Sequence, residues 1–176
     1  MNQWLTALLE ELGENPKRPD LEATPARFES ALREMLCGYP SDPVTILKEG
    51  LFESTSTGIV VCRDMHFVSV CEHHVLPFFG EAIVAFLPAG KLVGISKIPR
   101  ALEALARRLQ VQERLGQDLM DALQQTTASA GVLVRIRATH LCMMARGVKQ
   151  EQARMETLHV CGRFASEPAL CNSVLA

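Results

Sequence analysis

The stretch that most restricts the folds open to this chain is His66-Phe67-Val68-Ser69-Val70-Cys71-Glu72-His73-His74, a strand-like apolar run that ends in a thiol, a carboxylate and two imidazoles. Setting such groups beside a core is costly unless a metal or a substrate satisfies them. Cys71 and His74 stand in Cys-x-x-His spacing, so one tight turn can aim a sulfur and a ring nitrogen at a single cation, a pair that suits zinc. Two ligands do not hold zinc, and the other place where histidine and cysteine crowd together is His140-Leu141-Cys142. The fold must therefore bring two distant segments to one point. Cys71, His74 and Cys142 would leave a fourth tetrahedral position open, as catalytic sites do, whereas Cys62, Cys161 or His159 could close it as the fourth ligand of a structural site. His73 and His140 are left as imidazoles able to move protons.

The remaining pattern supplies a frame for that meeting. Trp4, Leu5, Leu8, Leu9 and Leu12 recur at helical spacing up to Gly13, and Thr24-Pro25 reads as a cap followed by the first residue of a second helix, stopped by Gly38-Tyr39-Pro40. Residues 1–40 are thus expected to form a helical N-terminal segment, and residues 41–176 the main domain. Residues 41–57 read as irregular. Residues 58–70 read as a strand or bent hairpin arm that delivers Cys71, and Glu81 to Leu87 as a strand covered on both faces. A turn and a short strand, Leu92 to Ile95, lead to Ser96, expected to cap a helix with the stripe Ile98, Leu102, Leu105 and Leu109. A second stripe, Val111, Leu115, Leu119 and Leu123, follows a break near Leu109-Gln110. Gly131 to Thr139 alternates, with Val132, Val134, Ile136 and Ala138 on one face, and continuing that parity along the strand puts His140 and Cys142 on the same side. Leu158 to Phe164 is a candidate last strand, and the tail beyond it carries no strong pattern. The order of elements predicts an α+β fold, an antiparallel sheet with its helices on one face.

Composition removes whole classes of function. At 176 residues, 48% of them hydrophobic, the chain can bury one core and has apolar surface to hide in a homo-oligomer. A net charge of −2 excludes an extended nucleic-acid footprint. No apolar stretch is long enough to span a bilayer. Six irregularly spaced cysteines and a first segment, Met1-Asn2-Gln3-Trp4, without a basic start suit a reducing, cytoplasmic setting.

Four blocks then carry a resemblance: Cys71-Glu72-His73-His74; Gly94-Ile95-Ser96-Lys97; the run from Arg108 to Leu115 (Arg-Leu-Gln-Val-Gln-Glu-Arg-Leu); and the run from Ala138 to Val148 (Ala-Thr-His-Leu-Cys-Met-Met-Ala-Arg-Gly-Val). In that order and spacing, with Gly13-Glu14-Asn15-Pro16 and Thr24-Pro25-Ala26-Arg27 ahead of them, the chain resembles the GTP cyclohydrolase I family over about residues 13–164. The resemblance implies a tunnelling fold, a four-stranded antiparallel sheet with two helices on one face. It also implies a decamer of two pentamers with active sites between subunits, and conversion of GTP and water to 7,8-dihydroneopterin triphosphate and formate. Zinc on Cys71, His74 and Cys142 would activate water against guanine C8. His140 would protonate guanine N7, and His73 would serve the later proton transfers.

By the same resemblance Gln112 and Ser96 join His73 and His140 as candidate catalytic residues, Gln112 orienting the base or the attacking water. Glu113 would accept from guanine N1–H and the N2 amino group together. Ser96, Lys97 and Arg100 at a helix start, with Arg146 and with Arg27 from a neighbouring subunit, would bind the triphosphate. Glu72 reads either as support for a metal-binding histidine or as a substrate contact. The chain departs from the family pattern in residues 150–159 and in a short tail. Two other readings therefore stand beside the main one: a tunnelling-fold relative with different pterin or deazapurine chemistry, and a diverged paralogue that binds GTP or a related compound with altered or no turnover.

Overall fold

The structure is a computed structural model, and it describes residues 3–176; Met1 and Asn2 of the N-terminal segment lie outside the described residues. The chain divides into two compact units, Met1–Cys37 and Gly38–Ala176.

In the first unit, helix α1 (Gln3–Glu11) and helix α2 (Thr24–Met35) meet through Trp4 and Phe28, edge to face at 5.9 Å. α1 ends where Gly13 takes φ +88°, which lets its N–H reach the Glu10 carbonyl while the Glu14 N–H reaches that of Leu9. This is the double bond pattern with which a left-handed glycine satisfies the last carbonyls of a helix. The helix capped at Thr24 starts one residue earlier than expected. Ala23 holds the cap position without a side-chain bond, and Thr24 is already helical.

The second unit is built on a sheet in the order β5-β2-β3-β6-β7. Its four long strands, β2 (Val60–Cys71), β3 (Pro77–Leu87), β6 (Gly131–His140) and β7 (Met155–Gly162), pair antiparallel, and the two-residue β5 (Leu109–Gln110) runs parallel to the end of β2. Helices α4 (Lys97–Ala106) and α5 (Gln112–Thr127) cover one face, where Ile98, Leu102, Leu105, Leu115, Leu119 and Leu123 form one buried cluster with Val132, Val134, Ile136 and Ala138. The alternation read along β6 thus holds. Ala85, Leu87 and Leu133, on the opposite face, pack with Phe164 and Val174. Those two residues come from α7 (Arg163–Ser166) and α8 (Pro168–Leu175), so the patternless tail is helical and supplies the second cover expected for β3.

Residues 41–57 are also more ordered than expected. Asp42 accepts from the N–H groups of Val44 and Thr45 at 3.3 and 3.0 Å, and with Pro43 next to it starts helix α3 (Pro43–Lys48). Strand β1 (Leu51–Glu53) then pairs with β4 (Lys91–Val93), which is shorter than the strand expected at residues 92–95. The last strand begins at Met155, ahead of the expected Leu158, and pairs with β6 along its length.

Candidate active site

Cys71 is the last residue of β2, opposite Gln110 of β5, and the chain turns at once: the Cys71 N–H donates to the Leu76 carbonyl at 2.8 Å and the Val75 N–H to the Cys71 carbonyl at 2.9 Å. Val75 sits at φ +54°, a left-handed conformation that disfavours a β-branched residue, so the turn holds local backbone strain. The turn carries His74 back toward Cys71, with Nδ1 3.9 Å from the sulfur. Cys142 arrives by a route other than the expected strand. β6 ends at His140, and residues Leu141–Met144 make one helical turn, α6, that swings the thiol across.

The sulfurs of Cys71 and Cys142 and a ring nitrogen of His74 all lie within 4.8 Å of one another, so the group could hold a metal ion. A tetrahedral zinc spaces two thiolates about 3.8 Å apart and a thiolate and an imidazole about 3.6 Å apart, the latter near the 3.9 Å between Cys71 Sγ and His74 Nδ1. The Cys142 thiol is pushed up from its ordinary value by burial and then by the neighbouring Cys71. Donor chemistry and spacing both fit the metal.

The other candidates separate into two sets. His140 stacks on its cross-strand neighbour Phe78, rings 4.6 Å apart and 3° from parallel, and its Nε2 lies 2.8 Å from Oε1 of Gln112. Burial pushes His140 below the ordinary histidine value, and the Glu113 carboxylate opposes that shift. Gln112 is buried, and its amide nitrogen donates toward Ile136 O, Met155 O and Thr157 Oγ1. Both ends of the amide are occupied by protein groups, the nitrogen by these three acceptors and the oxygen by His140. His73 is largely exposed, its Nε2 4.0 Å from Glu72. Glu72 itself ion-pairs with Arg114, which also donates to Gln110 Oε1 and Leu109 O, so the carboxylate ties the metal turn to the start of α5. Arg146 places Nη1 3.4 Å from Nε2 of His74.

Ser96, Lys97 and Arg100 gather at the start of α4. The cap expected of Ser96 is absent, because its backbone is already helical (φ −70°, ψ −16°) and its side chain makes no capping bond. Lys97 pairs with Glu49 at 2.6 Å. Arg27 lies on α2 of the first unit. Sequence reasoning missed Phe78, Thr157, Arg114 and Glu49. Of these, Arg114 stood inside one of the four blocks that carry the resemblance, whereas Phe78 lies ahead of Glu81, where that strand was expected to begin.

A family model described as GTP cyclohydrolase I matches residues 1–176. The chain belongs to the GTP cyclohydrolase I family. A GTP cyclohydrolase 1 of Chlorobaculum tepidum is 46% identical over 164 residues, covering 93% of this chain and 73% of that protein. One of Leptospira biflexa is 43% identical over 168 residues, covering 96% and 92%, and one of Alkalilimnicola ehrlichii is 44% identical over the same length, covering 96% and 91%. Among solved structures, an archaeosine synthase QueF-Like in the apo form superposes with a TM-score of 0.51 over 61% of this chain and 97% of that one, at 18% identity. That likeness, together with the family match, identifies the sheet and its two helices as a tunnelling fold. Among the described residues, no helix is long and apolar enough to cross a membrane.

Proposed function

We infer that the chain is a zinc-dependent GTP cyclohydrolase, converting GTP and water to 7,8-dihydroneopterin triphosphate and formate. The observation that carries this reading is the convergence of Cys71, His74 and Cys142 beside His140 in a chain of this family. The bound ion would supply Lewis acidity, so that water becomes a nucleophile at neutral pH.

The protein's own groups do the rest. His140, fixed between Phe78 and Gln112, gives a proton to guanine N7 and so makes C8 electrophilic. His73, exposed on the metal turn, serves proton transfers during ring opening and loss of formate. Glu113, at the start of α5 one residue from Gln112, accepts from guanine N1–H and N2–H. Ser96, Lys97, Arg100 and Arg146 bind the triphosphate, with Arg27 reaching in from a neighbouring subunit. For Lys97 this means exchanging the exposed Glu49 carboxylate for a phosphate oxygen.

The reading includes a homo-oligomer, a decamer of two pentamers with active sites between subunits. Val68 and Phe79, cross-strand neighbours on the sheet face away from the helices, are 44% and 43% exposed and give such an assembly apolar surface to cover. Six unpaired cysteines, two of them in the metal group, fit a cytoplasmic setting. Zinc-loaded protein incubated with GTP is expected to release formate together with a fluorescent pterin. GTP binding without formate in fully metallated protein would replace this reading with that of a binding paralogue.

A further inference from the structure

We propose that Gln112 is a positioning residue that sets the tautomer of His140, keeping the ring proton on Nε2 and leaving Nδ1 as the atom that exchanges protons with the substrate. The functional half of this proposal rests on the cyclohydrolase reading; the structural half does not.

The two ends of a carboxamide are told apart by what surrounds them. Around the Gln112 nitrogen stand three acceptors: Ile136 O at 3.1 Å, Met155 O at 3.2 Å and Thr157 Oγ1 at 3.2 Å. Turning the amide over would set its oxygen against two backbone carbonyls, and at 1% exposure no solvent softens that contact. The oxygen is therefore the end that faces His140 Nε2 at 2.8 Å, and only a ring nitrogen carrying hydrogen can donate to it.

Phe78 removes the remaining freedom. It lies flat against the imidazole, 3° from parallel, and so fixes the ring plane. Flipping the ring by 180° about its Cβ–Cγ bond would return it to the same plane but put Cε1 where Nε2 stands and lose the bond to Gln112. One pose and one tautomer remain. Two of the acceptors that orient the amide, Met155 O and Thr157 Oγ1, come from β7, which begins inside the family-atypical residues 150–159, so that segment contributes to the site.

In the transfer, the Nδ1–H bond breaks as the N7–H bond of guanine forms, and the ring returns to the neutral Nε2–H state.

The test is solid-state nitrogen NMR of metal-loaded protein labelled at histidine, with the His140 signals identified by their loss in His140→Asn. The expected result is a protonated Nε2 and a bare Nδ1 in the unaltered protein. Replacing Gln112 by Met should let the second tautomer appear and lower kcat by about tenfold or more, with KM for GTP changing less than about twofold. A protonated Nδ1 in the unaltered protein overturns the proposal, as does a raised KM with unchanged kcat in Gln112→Met, which would mean that the amide contacts the base. The tautomer of the unaltered protein is decisive even if the variant fails to fold. Because it is read without turnover, a failure of the cyclohydrolase reading would show separately, as absent formate.

Discussion

Replacing Gly116 by Ala tests whether the close approach of α5 to β7 is what builds the site. A Cβ at Gly116 would stand 2.5 Å from Cδ2 and 2.7 Å from Nε2 of His159, and 3.4 Å from Cδ1 of Ile136. The first contact is about 1 Å short of ordinary van der Waals separation, so the His159 ring or the strand beneath it must move. Moving the ring would give up the contact of its Nδ1 with Gln117 Oε1 at 3.3 Å, and its Nε2 edge is buried. Helix propensity alone would make this substitution stabilising by about 1 kcal/mol. Overpacking of this kind costs about 1–3 kcal/mol, so the net effect is expected to be destabilising by about 1 kcal/mol. For a chain of this length that corresponds to a melting temperature lower by about 2–4 °C. Thermal unfolding at fixed protein and metal concentration reads it directly. Displaced by even part of that 1 Å, β7 would carry Met155 and Thr157 beyond bonding distance of Gln112, so kcat should fall with stability. A rise in melting temperature with unchanged kcat would refute the argument.

Removing one ligand by Cys142→Ser should abolish stoichiometric metal binding and, with it, formate release; metal analysis of the purified variant checks the first half. Loading metal into apo-protein near neutral pH should release at least the proton of Cys142, whose thiol is held above its ordinary value, so apparent metal affinity should rise with pH. Calorimetry in buffers of different ionisation enthalpy counts that proton. The Asp42 carboxyl is held below the usual carboxylate range, chiefly by Thr45, so its contribution to stability is present above the unfolded value and lost as pH falls through the folded one. Asp42→Asn should keep the cap and remove this pH dependence, which acid unfolding curves of the two proteins would reveal.

Much of this arrangement could be read from the chain because the groups concerned are chemically conspicuous. The apolar period of β6 placed Val132, Val134, Ile136 and Ala138 against the helices, and the His/Cys pairs marked both halves of the metal group. Parity failed one residue past His140, where the backbone leaves the strand for a single helical turn; Cys142 reaches the metal group all the same. Short elements stabilised by tertiary contact were hidden. The two-residue β5 has too little sequence for any period, and α7 and α8 are held by Phe164 and Val174 in a cluster assembled from several strands. Asp42-Pro43 carried a legible helix start that an irregular composition masked. Thr157 could not have been singled out from sequence, since its partner Gln112 is 45 residues away and only the pairing of β6 with β7 brings them together.

The most direct measurement is a titration of zinc into metal-free protein with formate release from GTP followed at each addition. A catalytic site built on Cys71, His74 and Cys142 predicts a rate that begins near zero, climbs in proportion to the ion added, and levels at one equivalent per chain. A rate independent of metal, or one that metal-free Cys142→Ser protein reproduces, would contradict it.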